Sequence, residues 1–387
     1  MKPYFALNGG MLMAYRIVLN PAPDLSFHTA QIQQHLDVCR DTPDGGEVAL
    51  AAGEWRIASL RLYSNTTFRL LPGAHVTASK NWQDYTDFHV PSTMGYLKVP
   101  YMIEIWHLPP HYLNAPITAI EAENVAVIGS EDSFFDGSDC YDAAGEEKFR
   151  GPMGMVFCKC KNVHLEGYLY KNAANWCHQL DSCENVLARR VTVQGGHDGI
   201  NIHHCRHVVI EDCVLETGDD CVAGYNAQDV TVRNCVLNTS CSTFRIGGRD
   251  LLVENCILRG PGVYPHRVSG RHNTLAVFEY YAMRYDDAIT LDSTNWIMRN
   301  CVIDQVDTLF HYEPANDFMH CKKPLRDVTF ENVQITGLLK PSVLIPEEHA
   351  PLDLTFTDCT LTWRNETPVI PDRPYVRYHI HNSKEVE

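Results

Sequence analysis

The chain has 387 residues, 45% hydrophobic and 21% charged, an ordinary globular composition long enough to bury a large core. Its 32 Lys+Arg against 48 Asp+Glu leave a formal charge of -16, which argues against nucleic acid as a partner. No segment stays apolar for the ~18 residues a helical membrane span needs, so a membrane is excluded as well.

In chain order, the first twenty residues are interrupted by Pro3, Asn8, Gly9, Gly10 and Arg16 and hold no apolar block of signal-peptide length. Ile32, Leu36 and Cys39 stand at helical spacing and predict a helix over about 26–40, stopped at Pro43-Asp-Gly-Gly46. From Glu47 the alternations Val48-Ala-Leu50, Trp55-Arg-Ile57, Leu60-Arg-Leu62 and Thr67-Phe-Arg-Leu-Leu71 read as short strands between turns. Lys80 to Pro116 breaks this rhythm with Trp82, Tyr85, Tyr96, Tyr101, Trp106, His107, His111 and Tyr112, and its prolines oppose regular strands. Two readings of that excursion carry equal weight: aromatics packed on the surface, or one wall of a sugar-binding cleft.

The pattern resumes at Asn124 and is sharpest from Asn175 to Gly248. The segments Asn175–Leu180, His197–Ile202, Asp219–Gly224 and Cys241–Ile246 each begin 22 residues after the last. A constant period marks a solenoid, with one continuous core however long it grows. The expectation is therefore an all-β, single-domain parallel coil: a capping helix at 26–40, rungs over about 47–363, and a C-terminal tail over 364–387. A degenerate rung is placed near Thr274–Phe278, after a loop from Gly260 to Arg271, and a further loop falls near His311 to Lys323. Cys213, Cys235, Cys256, Cys301 and Cys359 recur at one place in the repeat and read as small core hydrophobes. With no CxxC pair, metal is the weaker reading; reduced thiols without an export signal point to the cytoplasm.

Stacking at a 22-residue period places Asp198 one rung below Asp220, with Asp219 in the adjoining column beside His197 and Cys241. Strict alternation would turn Asp198 and Asp220 into the core, where unpaired charge is costly. Gly195-Gly196 and Gly218 instead permit a corner that opens the three acids on one face. Gln179, Asn201 and Arg245 share the outward column alongside, and Trp176 and Ser242 continue the column of the acids. Clustered carboxylates raise one another's pKa, which suits one of them to donate a proton while another activates water. The same residues also fit Asx-turns or a calcium site.

The motifs Asp44-Gly-Gly-Glu-Val-Ala-Leu50, Leu70-Leu-Pro-Gly-Ala-His-Val76, Phe135-Asp-Gly137, Asp198-Gly-Ile-Asn201 and Thr217-Gly-Asp-Asp-Cys221 resemble the polygalacturonase-type glycoside hydrolases of family 28, over about residues 29–301. That resemblance implies a right-handed parallel β-helix and an inverting glycosidase without cofactor or metal, acting on a pectic or related plant-type oligosaccharide. It implies Asp219 as general acid, with Asp198 and Asp220 holding the attacking water. This chain departs from the family at Gly196-His-Asp198, where Asn-Thr-Asp is usual. It departs again at Ser242-Thr-Phe-Arg-Ile-Gly247, which lacks the family's His, and it has no Arg-x-Lys element, so unmodified polygalacturonate is disfavoured as substrate.

Arg245 is expected to touch substrate or tune an Asp, and Asn201, Gln179, His197, Ser242 and Trp176 are expected to bind substrate beside it. His266, Arg267, Arg271 and His272 read as a solvated loop, and His203, His204 and His207 as surface residues. The competing functions are a calcium-dependent polysaccharide lyase on the same coil and a carbohydrate-binding β-helix without chemistry.

Overall fold

A computed structural model describes residues 15–24, 26–283, 286–313, 323–363 and 371–386. The strands wind into a parallel β-helix. Each turn contributes one strand to a twelve-stranded sheet and two to the faces that merge into a 21-stranded sheet. The 22-residue columns are reproduced in the hydrogen-bond register: His178 pairs with Ile200, Ile200 with Val222, and Val222 with Phe244. Val125, Val163, Val186, Val208, Val230 and Leu251 stack likewise on the second face. Such columns bury apolar side chains continuously; Phe244, Phe278 and Phe310 stack at 5.4 and 5.6 Å down the centre.

Corners between faces need a left-handed residue, and asparagine supplies it. Asn65, Asn124, Asn162 and Asn185 all have φ between 54° and 57°. Their side-chain amides hydrogen-bond in sequence up the coil at 2.7, 2.9 and 3.0 Å. Asn tolerates this conformation, and its amide both donates and accepts, so one residue type solves both problems at these four turns; His207, Asp229 and Asp250 take the left-handed place in the rungs that follow.

The capping helix runs Thr29–Asp41 and buries Ile32, Leu36 and Cys39 over the first rungs. The degenerate rung is the strand Thr274–Tyr280, paired with Ser242–Glu254 on one side and Val306–Tyr312 on the other. The coil also extends past the expected limit of 363: Val376–His381 pairs in parallel with Leu352–Thr357, and Lys384–Val386 with Thr360–Trp363. The tail over 364–387 thus contains a further rung, which its prolines disguise in the sequence; residues 364–370 lie outside those described. The loop expected near His311 to Lys323 lies mostly outside them too.

The excursion after Lys80 contains two short 3-10 turns and a helix, Pro100–Trp106. It lies back on the coil and is pinned there. Ser92 Oγ and the Thr93 amide each reach Asp181 at 2.7 Å. The Gly95 amide reaches Asp286 at 2.8 Å and the Tyr225 hydroxyl at 3.1 Å. No helix among the described residues is long and apolar enough to cross a membrane.

Candidate active site

Thr192–Gly195 and Val214–Thr217 are adjacent strands of one face, and Ile200–His203 and Val222–Arg233 begin the next face. Between them the chain must turn, and both turns carry the acids. The Gly218 amide donates to Gly195 O at 2.7 Å, and the Gly199 amide to Asp220 O at 2.9 Å, so one turn rides on the other. A Cβ at Gly218 would meet the Pro265 carbonyl at 2.3 Å and Gly196 Cα at 2.7 Å, so only glycine fits here. Asp198, Asp219 and Asp220 consequently converge, with one oxygen from each within 4.8 Å of the others.

Asp198 and Asp219 line a cavity of about 310 Å³, whose walls include Tyr96 and Trp106 of the excursion, Trp176, Arg245 and His266. Asp220 lies behind them, 1% exposed, with Oδ1 accepting from the Ser242 amide at 3.0 Å. The expected open face is therefore narrower than the sequence implied. Burial pushes Asp220 up to about 8, and the neighbouring Asp219 charge adds to it. Asp198 is raised well above the usual carboxylate range by burial, then by Asp219 and Asp220, against the opposing pull of Arg150 and Asn201. Asp219 goes the other way. Burial raises it, but Arg150, His266 and Arg245 outweigh that and hold the carboxyl below the usual range.

Arg150 is the decisive residue that the sequence did not reveal. It comes from the irregular segment after Phe149, where its Nη2 donates to Asp219 Oδ2 at 2.8 Å and its Nε to Glu147 at 2.7 Å. Glu146, beside it, accepts from Tyr112 and Asn175 at 3.0 and 3.4 Å. No periodicity marks this segment, so column reasoning had nothing to seize on. His266 and Arg271, read from sequence as solvated loop, also come into the site: His266 Nε2 stands 3.6 Å from Asp219, and Arg271 lines the cavity. Glu279, one rung beyond Arg245 in its column, lines it as well. Extending the degenerate rung by one residue would have found it.

Several expected contacts are corrected. Gln179 is fully buried beneath the excursion, its Nε2 3.1 Å from Met94 Sδ. Asn201 is buried and donates to Asp198 Oδ2 at 3.1 Å, orienting an acid instead of meeting substrate. Ser242 is buried and donates to Glu279 at 2.6 Å. His197 faces away from the cavity and stacks on Phe149 at 5.8 Å. All four fail as substrate contacts because the columns that face outward here are covered by other segments of the chain. Trp176 and Arg245 do line the cavity: Trp176 forms a wall stacked on His203, and the Arg245 guanidinium lies 4.5 Å over Tyr281 and 3.9 Å from Asp220. His203 and His204 are buried or ion-paired, not surface residues; His207 is exposed.

Two groups have ligand atoms close enough to hold a cation: the three acids, and Asp219 with Cys241 and His266. Both share Asp219, whose Oδ2 already meets Arg150, and a guanidinium there repels a metal ion. Near Cys241 a second guanidinium intervenes, since Arg271 Nη2 donates to its sulfur at 3.2 Å. The residues present fit a metal poorly.

Residues 110–246 match the family model "Glycosyl hydrolases family 28". No curated protein matches the chain. Among solved structures it is similar to a hyperthermoactive exopolygalacturonase from Thermotoga maritima, with 16% identity and a TM-score of 0.72 over 95% of this chain and 91% of that one. It is also similar to the family 28 exopolygalacturonase of Yersinia enterocolitica, at 16% identity and TM-score 0.59 over 96% and 79%. PfbA, a surface adhesin of Streptococcus pneumoniae, shares the fold at 11% identity and TM-score 0.59 over 93% and 87%. These likenesses establish the coil; the family match covers both acid-bearing turns. The segment that builds the acid cluster thus matches the glycosyl hydrolases family 28 model, and the coil that carries it is a parallel β-helix like those of the solved structures.

Proposed function

We propose that the chain is an inverting glycoside hydrolase that takes one end of a pectic or related plant-type oligosaccharide and acts in the cytoplasm. The observation that carries this reading is the convergence of Asp198, Asp219 and Asp220 within 4.8 Å at a cavity walled by Tyr96, Trp106 and Trp176. Aromatic faces suit pyranose rings, and acids with divergent proton affinities suit acid/base cleavage. Asp219 is the acid. It is charged while Arg150 holds it, and its proton is stored next door on Asp198 or Asp220. Arg150 Nη1 is buried without a hydrogen-bond partner and is available to a sugar oxygen. As the sugar engages Arg150, the hold on Asp219 relaxes and the stored proton passes to it and then to the leaving oxygen. Water held by Asp198 and Asp220 attacks the anomeric carbon.

The three acids stand closer than the ~6.5–9.5 Å that usually separates acid from base in inverting enzymes, so the water lies in front of the cluster. Proton NMR of the first-formed anomer tests this: inversion is expected, and retention would make one Asp a nucleophile. Action from an end follows from the outward column. Gln179 is buried beneath the excursion and Asn201 and Ala223 are buried as well, whereas the Arg245 side chain is 25% exposed and that of His311 42%. The cleft is closed toward the N-terminal rungs and open toward the C-terminal ones. The cytoplasmic assignment is supported by the described cysteines, all free and buried.

Asp219→Asn is the primary test. It should lower turnover of cleaved oligosaccharides by at least about 10²–10⁴-fold with an unchanged circular dichroism spectrum. A second reading, a binding protein without chemistry, is favoured by the adhesin's similar coil and by the neutralising Arg150. It predicts glycan binding with no new reducing ends.

A further inference from the structure

We propose that Glu279 is the specificity-determining residue of this cleft and sets it for a neutral sugar in place of a uronate. The inference rests on the glycosidase reading above. Glu279 lies directly across the ladder from Arg245. Its Oε2 accepts from Ser242 Oγ at 2.6 Å, and its Oε1 stands 4.0 Å from Arg245 Nε, beyond hydrogen-bond reach. That leaves lone pairs at the cavity wall, where a sugar hydroxyl can donate to them.

The guanidiniums of the cavity complete the argument. A substrate carboxylate is best held by two parallel N–H groups of one guanidinium. Arg150 has committed Nε to Glu147 and Nη2 to Asp219, which leaves Nη1 alone. Arg271 has committed Nε to Ser240 O at 3.2 Å, Nη1 to Ser269 Oγ at 2.8 Å and Nη2 to Cys241 Sγ at 3.2 Å. Arg245 faces Asp220 and Glu279 and lies over the Tyr281 ring. A uronate entering here brings a charge that meets Glu279 and finds no open fork among the described residues. A neutral sugar brings hydroxyls that fit both Glu279 Oε1 and Arg150 Nη1.

The test uses matched pairs differing only at C6, galactose against galacturonate and glucose against glucuronate, bound to the full-length Asp219→Asn protein and read by ligand-observed NMR. In at least one pair the neutral sugar should bind tighter by about tenfold or more, since like charges at close range cost several kcal/mol. Glu279→Gln in the same background should cut that ratio to less than about threefold by removing the repulsion while keeping the shape. A uronate bound as well as its neutral partner, no binding of either member in both pairs, or a ratio untouched by Glu279→Gln overturns the inference. Thermal melts confirm that the variants fold, and Glu279→Ala serves where Gln does not. Hydrolysis is scored separately on the wild-type protein: binding selectivity without cleavage would sink the glycosidase reading and leave the sugar preference standing.

Discussion

Asp219 and Arg150 form one ion pair, and the pH dependence of the proposed reaction would report what that pair does. If Asp219 is the acid, activity is lost as pH rises through the pKa of the cluster that stores its proton on Asp198 or Asp220. Arg150→Gln removes a charge that depresses both Asp219 and Asp198, so the alkaline limb of kcat/KM should move to higher pH, with a lower maximum. Movement of the acid limb instead would assign Asp219 as the base. Asp220 makes a separate stability prediction. Its folded pKa, about 8, lies above the ordinary 3.8, so the folded state keeps a proton that the unfolded state loses between those values. Stability from this group is complete below pH 3.8 and declines toward pH 8. Tm should fall over that range, and Asp220→Asn should flatten the fall; an unchanged slope would show that Asp220 is not the buried proton. Asp219, depressed, loses its contribution only when pH drops below the ordinary carboxylate value and does not interfere.

At this scale the sequence revealed the three acids because they fall in columns and beside glycines that a corner needs. It concealed Arg150, His266 and Arg271 because they come from irregular segments, where no period connects a residue number to a position in space. It misplaced Gln179 and Asn201 for a different reason. Period-two alternation says which way a side chain leaves its strand and nothing about what a distant excursion lays on top of it.

Among the elements, the rungs were legible almost throughout, since each repeats one hydrophobic column, and the capping helix was legible from three apolar residues. The last rung was hidden by the prolines between Trp363 and Val376. The asparagine corners are testable as elements. Asn185 has φ of 56° and donates to Asn162 at 3.0 Å. Asn185→Val should destabilise by ~2 kcal/mol, combining a β-branched residue in the left-handed region with a broken amide ladder. Asn185→Gly should recover roughly half of that, because glycine restores the backbone but not the hydrogen bond. Urea unfolding measures both, and equal losses would mean that only the ladder matters.

For the molecule as a whole, the fold is a single stack. The aromatic excursion, pinned by Asp181 and Asp286, covers Gln179 in the outward column, and on the proposed reading it closes one end of the cleft. On that reading a polymer lying across the surface would have no way out on that side, and internal linkages would not reach the acids. Each long molecule would then offer a single point of attack and shorten from there by one unit at a time. A solution of the preferred polysaccharide should therefore stay thick while free sugar accumulates steadily in it, at a rate that follows the number of chain ends and not the mass of polymer dissolved.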